Sequence, residues 1–303
     1  MIRTITYQGF SWIDLMNAHK QDIGVLKDKL HLDPLTLKVL SVPQYHPDFE
    51  SLDGQINIVF LHPNFKNNIE IEFQEIDIVA QNNYLVTSHY QSIPIIDRLF
   101  EECEKTESNK EKYLSRKSGF LLFALLERFL NQKVEKINDI ESRINLLEKE
   151  IFSAEEKKTI KEISRLKREI INLWRSTEPQ RIIFESLKNS GPKLLGKEFS
   201  HNYSTLFQMH RKAEVALKIS KETIESLEET HNILVSLKTN EIIGILTVFS
   251  VILLPLNLFV GLWGMNTNYL PFKNFSFDFW IIAILMLAIA AGMIFYFKHK
   301  KWL

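Results

Sequence analysis

Polar side chains recur at helical spacing inside a long apolar stretch near the C-terminus. At about 100° per residue, one helical face collects a mixed set of polar and apolar residues: Asn240, Ile243, Ser250, Leu254, Asn257 and Gly261. Amides inside a membrane are costly unless they face a partner helix or a water-filled cavity. The pattern therefore leaves two interpretations open: hydrogen-bonded helix packing, or a pore that several copies of this face surround.

The pore interpretation assigns a chemical role to each type of residue on the face. Rings of amides can hold a hydrated cation, while rings of Leu246 and Leu254 can close a channel by dewetting. Pro255 lacks a backbone N–H, so it loosens the helix locally and frees a neighbouring carbonyl.

Two uncharged stretches must position these residues. Residues 242–263 and 279–297 contain no Asp, Glu, Lys or Arg, and each is long enough to cross a hydrocarbon core that needs about 20 helical residues. The loop between them, residues 264–278, opens with Gly264-Met265-Asn266. We therefore predict two transmembrane helices joined by a short external loop.

Charge patterning predicts the orientation and compartment. The chain has 37 basic and 37 acidic side chains, a balance that argues against nucleic acid as a partner. The tail, residues 298–303, is basic, whereas the external loop offers only Lys273 against Asp278. The positive-inside rule places the basic tail in the cytoplasm. The N-terminus lacks an apolar signal-peptide core, so the large N-terminal region is expected on the same side. We therefore predict a multi-pass inner (plasma) membrane protein with both termini in the cytoplasm. The single Cys103 suits a reducing compartment.

The first 240 residues divide by pattern. Residues 1–104 are predicted as a cytoplasmic α/β domain, with a short helix at 22–30 and strands at 56–61, 69–73 and 84–88. Residues 105–196 show apolar positions at three- and four-residue steps, which predicts an antiparallel helical hairpin reversing near 153–157. Residues 197–263 have no proline before Pro255, so one long stalk helix should continue into the first span. A helix so long needs support from other copies of the chain.

The C-terminal motifs resemble a known family. Asn240-Glu241, Pro255, Gly261-Leu262-Trp263-Gly264-Met265-Asn266 and Tyr269-Leu270-Pro271, with a second span and a Lys-Lys-Trp-Leu ending, are similar to the CorA family of magnesium transporters. The resemblance implies an α+β cytoplasmic domain, a coiled helical hairpin and two C-terminal transmembrane helices in a funnel-shaped homopentamer. It also implies that the pore is lined by seven positions: Asn240, Ile243, Leu246, Ser250, Leu254, Asn257 and Asn266.

The resemblance assigns the outer ion filter to Gly264, Met265 and Asn266, where neutral amides would contact hydrated Mg²⁺, an ion that sheds water reluctantly. Relatives gated by intracellular magnesium hold an inter-subunit cation with an Asp on the long helix. Counting back without gaps places Thr205 there, with Gln208 one turn on, and His201 and His210 as nearby substitutes. The external loop also departs from many relatives, because Asn268 and Leu270-Pro271-Phe272-Lys273 provide no acidic side chain.

The predicted function is transport of divalent cations, with Mg²⁺ first and Co²⁺ or Ni²⁺ as further cargo, driven by the gradient and the membrane potential. Mg²⁺ would be the transported ion and also the regulatory one. A Zn²⁺ transporter of the ZntB-like branch, with or without proton coupling, is the alternative, and a membrane-anchored scaffold is a remote one. The sequence has no phosphate-binding glycine loop and no His-Glu-x-x-His motif, so an enzyme is not predicted.

Overall fold

A computed structural model describes the chain except for residues 18–23, 25, 28–29, 31, 53, 65–71, 153–155, 266–276, 301 and 303. The described chain forms two compact units, Met1–Glu228 and Glu229–Leu303. Most of the helix predicted at 22–30, the start of the strand predicted at 69–73, and the filter residue Asn266 lie outside the described residues.

A six-stranded sheet forms the centre of the N-terminal unit. Its strand order is β1-β2-β6-β5-β4-β3, and neighbours are antiparallel except for the parallel pair β2 and β6. The strands are β1 (Ile2–Tyr7), β2 (Phe10–Met16), β3 (Asp48–Leu52), β4 (Gln55–Asn64), β5 (Glu72–Gln81) and β6 (Tyr84–His89).

The first two strands form a hairpin that the sequence patterns above did not single out. Gln8 and Gly9 connect β1 to β2, and both have positive φ, at 46° and 79°. Two positive φ values in a two-residue loop are typical of the turn that matches the twist of paired strands. The hairpin places Asp14 on β2 in a buried network, where it accepts hydrogen bonds from Arg3 and Thr87.

Most of the helices follow the sheet in the chain. The helices with described bounds are α1 (Pro34–Ser41), α2 (Pro94–Lys105), α3 (Glu107–Leu114), α4 (Lys117–Glu150), α5 (Glu156–Thr177), α6 (Arg181–Leu195), α7 (Ser200–Gly264) and α8 (Asp278–His299), with a 3₁₀ turn at Lys197–Phe199. Helix α1 lies between β2 and β3 in the sequence, as do the helical residues 24, 26, 27 and 30 of the partly described segment before it, and helices α2 to α8 come after β6.

Helices α4 and α5 pair through the apolar positions that the periodicity indicated. Ile137, Ile140 and Ile144 of α4, with Ile163 and Leu166 of α5, are buried. Glu169 is buried in the same region. Its carboxylate forms ion pairs with three basic side chains: Lys136, Arg143 and Arg165. A buried carboxylate surrounded in this way is paired rather than isolated.

The first turns of α7 enter the main core against one face of the sheet. Tyr203 and Leu206 join the same buried cluster as Phe60 of β4. The tyrosine hydroxyl donates a hydrogen bond to the carbonyl of Gly119, at 3.0 Å. A Cβ on Gly191 would lie 2.8 Å from the Tyr203 ring, so the contact between α6 and α7 depends on the absence of a side chain there.

Candidate functional site

The apolar part of α7 has two unlike sides. All six pore-lining candidates from Asn240 to Asn257 are exposed within one copy of the chain, and Leu254 reaches 68 % exposure. A second stripe is partly or fully covered, with Val248 only 2 % exposed. Its members are Gly244, Val248, Ile252, Pro255, Leu256, Phe259 and Trp263.

Helix α8 carries a matching covered stripe. Its members recur at three- and four-residue steps: Ile282, Ala283, Met286, Ile289, Ala290, Met293 and Phe297. We infer that these two stripes face each other in the C-terminal unit, because each is the least exposed side of its helix. At 100° per residue, the polar face of α7 then lies opposite the side that meets α8. Both helices are long and apolar enough to cross a membrane, by length and composition.

The hydroxyls near the polar face are satisfied by their own helix. Ser250 donates its hydroxyl proton to the carbonyl of Leu246, and Thr247 donates to Ile243, both at 2.8 Å. Each hydroxyl oxygen keeps lone pairs that can accept a hydrogen bond from water. The hydroxyl proton of such a serine is already bonded, so its oxygen can accept hydrogen bonds from the water around an ion without leaving a donor unpaired.

The C-terminal end of α7 is described up to Met265. Gly264 is the last helical residue, and the backbone N–H of Met265 donates to the carbonyl of Leu262, at 3.4 Å. The Met265 side chain is exposed. Gly264 and Met265 thus stand at the end of the same helix that carries the polar face, while the position of Asn266 stays a prediction.

Three of the four candidate regulatory residues share one side of α7, and the fourth, His210, lies on the opposite side. His201 and Gln208 are exposed, and Thr205 donates its hydroxyl proton to the carbonyl of His201, at 3.0 Å. His210 is instead fully buried and stacked on Phe184, with ring centroids 4.7 Å apart. Within one copy the structure does not bring His210 together with the other three. Among the described residues, no three His, Cys, Asp or Glu side chains converge as a metal cluster.

His210 belongs to a buried polar cluster that the sequence analysis missed. Lys133 of α4, 2 % exposed, donates to the amide oxygen of Gln180, at 2.6 Å, and the amide nitrogen of Gln180 donates to the carbonyl of Leu61, at 2.5 Å. Neither ring nitrogen of His210 has a hydrogen-bond partner among the residues that the structure describes. The helical phase was the available signal, since Lys133 stands four residues before the buried Ile137.

Burial controls protonation in this cluster. Desolvation lowers the pKa of Lys133 to about 7. It also lowers the pKa of His210 and of His62 to about 3, and the Lys133 charge adds to both shifts. Both imidazoles are therefore neutral at neutral pH. A neutral, buried His210 is poorly placed to bind a cation at the surface of α7.

Comparison with known proteins settles the family. A family model described as CorA-like Mg²⁺ transporter protein matches residues 7–299. The chain belongs to this family. The CorA resemblance read from the C-terminal motifs is thereby confirmed, and members of the CorA family are ion transporters rather than enzymes.

Individual relatives agree with this assignment. The chain is 25 % identical over 296 residues to a cobalt/magnesium transport protein CorA of Thermotoga maritima, covering 97 % of this chain and 83 % of the relative. It is 19 % identical to the zinc transport protein ZntB of Yersinia enterocolitica, covering 96 % and 88 %.

A solved CorA magnesium transporter from Methanocaldococcus jannaschii matches with a TM-score of 0.82 and 23 % identity, covering 99 % of this chain and 94 % of that one. This match confirms the predicted fold class of an α/β domain, a long helix and two C-terminal apolar helices.

Proposed function

We propose that this CorA-family protein transports divalent cations, Mg²⁺ first, through a pore that several copies of α7 surround. One observation carries the proposal: the face with Asn240, Ser250 and Asn257 is exposed and lies opposite the covered stripe of α7. In a lone helix pair this polar face would meet lipid, which is unfavourable for amides. Facing a shared aqueous axis removes that cost.

The pore would bind Mg²⁺ through the waters that the ion retains, and the membrane potential would drive the ion inward. Ser250 and Asn257 would hydrogen-bond to waters that Mg²⁺ retains, so the ion need not be stripped. Leu246 and Leu254 would form the apolar constrictions that close the path by dewetting. A membrane potential of 100 mV contributes roughly 4.6 kcal/mol to the inward movement of a double charge.

The assembly would be a homopentamer in the plasma membrane, with both termini in the cytoplasm and the external loop carrying the Gly264-Met265-Asn266 filter. Exposed apolar pairs at i,i+4 spacing support contacts between copies along α7. Val215 and Ile219 form one such pair, and Ile233 and Leu237 form another. The basic tail after α8 supports the orientation.

Uptake into proteoliposomes that contain a magnesium-sensitive dye tests the pore. Wild-type protein should admit Mg²⁺ faster as the inside becomes more negative, and Asn257→Leu should abolish that entry. Phe249→Leu is the matched control, because Phe249 is exposed and lies about 80° from Asn257 on the helix. Equal Mg²⁺ flux in all three proteins would mean that Asn257 does not line the path. A folded oligomer that passes no Mg²⁺ in any of them contradicts the pore and favours a scaffold.

A zinc transporter is the second candidate, favoured by the similarity to ZntB. The same vesicles distinguish the two with a zinc-sensitive dye and an imposed pH gradient. Zinc entry that follows the pH gradient, without Mg²⁺ entry, would assign the protein to the zinc branch.

A further inference from the structure

Two acidic side chains lie next to each other beneath the surface of the α/β domain. Glu75 and Asp77 alternate on β5, so both point to the same face of the sheet. They are 6 % and 1 % exposed. This is the face opposite the main core, since the next residue in the series, Val79, packs in the separate cluster that includes Leu40 of α1.

The two carboxylates have unequal surroundings. Glu75 accepts backbone hydrogen bonds from Gln44 at 2.9 Å to each oxygen, and from Tyr45 at 2.6 Å. Neither oxygen of Asp77 has a hydrogen-bond partner in the described part of the chain. Its direct cross-strand neighbours are Val59 and Ser88.

An ionised carboxylate buried without a partner is strongly unfavourable, so Asp77 holds either a proton or a bound cation. Without a cation, burial and then the charge of Glu75 raise the pKa of Asp77 to about 8. Tyr90 lies at the edge of the site. Its burial raises the pKa of its hydroxyl to about 12, and the charges of Asp77, Glu75 and Tyr45 add to this shift. Tyr90 stands beyond Ser88 on the β6 side, and 40 % of its surface is exposed. The pair therefore lies close to solvent, although Asp77 itself is covered.

We propose that Asp77 and Glu75 bind a hard divalent cation, Mg²⁺ or Mn²⁺, inside a single copy of the α/β domain. Two carboxylates plus retained waters are the ligand set typical of Mg²⁺. Ser88 is paired with Asp77 across the strands, and the charges of Asp77 and Glu75 act on Tyr90, so the hydroxyls of these two residues are the neutral oxygens that would complete the ligand set. Because Glu75 also anchors the backbone of Gln44 and Tyr45, a bound cation would tie that loop to the sheet.

This site is independent of the proposed pore, because all of its residues belong to the N-terminal unit. Failure of Mg²⁺ flux would leave it intact, and loss of this site would leave pore residues unchanged. The two proposals are therefore tested by separate measurements.

Counting bound Mn²⁺ per chain tests the site. Full-length protein in detergent is dialysed against Mn²⁺, and the bound ion is measured by electron paramagnetic resonance. Asp77→Asn should bind one Mn²⁺ per chain fewer than wild type. Asp139→Asn is the matched control, since Asp139 is an exposed carboxylate on α4, and it should bind as many as wild type. Equal counts in all three proteins would overturn the proposal.

Thermal unfolding is a second measurement, and it distinguishes a variant that no longer binds the cation from a variant that no longer folds. In EDTA, Asp77→Asn should melt no lower than wild type, because it removes an uncompensated carboxylate of nearly the same shape. Added Mn²⁺ should raise the melting temperature of wild type more than that of Asp77→Asn, as expected for a ligand that binds only the folded state. If the wild-type melting temperature responds to pH but gains nothing over the variant from Mn²⁺, Asp77 holds a proton and the cation site is refuted.

Discussion

Lys133 places an amine in the core, and its hydrogen bond within the described part of the chain goes to the Gln180 amide rather than to a carboxylate. The sign of its effect on stability follows from its pKa. Burial lowers the pKa of this lysine to about 7, whereas an unfolded lysine titrates near 10.4. Between these values the unfolded chain binds a proton that the folded chain does not. Stability therefore rises with pH through this window.

Lys133→Met should abolish that rise. We expect the free energy of unfolding of wild type minus that of the variant to increase between pH 7 and pH 9, by up to about 1.4 kcal/mol per pH unit. Denaturation of the detergent-solubilised proteins at several pH values measures it. Asp77 and His210 are present in both proteins, so their titration largely cancels in the difference. Parallel pH profiles for the two proteins would mean that Lys133 is not buried in solution.

At the scale of elements, α6 and α7 meet where a glycine faces a ring. Gly191→Ala would place a Cβ 2.8 Å from two carbons of the Tyr203 ring. That ring cannot retreat freely, because it is fully buried and its hydroxyl is bonded to Gly119. We expect a loss of about 1–3 kcal/mol from overpacking, seen as a lower melting temperature. Ser190→Ala, one residue earlier in α6, is the control and should change stability by less than about 0.5 kcal/mol.

Element prediction from the sequence succeeded where one physical signal was sustained. The long helix α7 and the apolar helix α8 were predicted because helical periodicity or uninterrupted apolarity extends over many turns. The hairpin of β1 and β2 was missed because its strands are short and its only strong signal is the Gln8-Gly9 turn. Lys133 was not singled out, and His210 was placed at a candidate regulatory cation site, although both stand in phase with buried apolar residues. The polar residue type had more weight in the prediction than the helical phase. Only the packed structure shows that the phase determines which of these side chains are buried.

At the scale of the whole molecule, family membership and the two-sided α7 support the same assembly. The chain belongs to the CorA-like family across residues 7–299, and one side of α7 is already covered within its own unit. The opposite side, with Ser250 and Asn257, remains exposed in a single copy. In the proposed assembly, this side would face a shared aqueous axis, and contacts with further copies would give the helix its missing support.

Cysteine cross-linking tests this arrangement directly. Ser250→Cys lies on the exposed polar face, so a short bifunctional maleimide should join neighbouring copies into covalent dimers. Ile252→Cys, two residues away on the covered stripe, should form few. Wild type is the background control, because burial raises the pKa of the Cys103 thiol to about 11 and keeps it unreactive. Native mass spectrometry of the same preparation counts the copies, for which five are expected. Dimers from Ile252→Cys but not from Ser250→Cys would mean that the covered stripe, rather than the polar face, lies between copies.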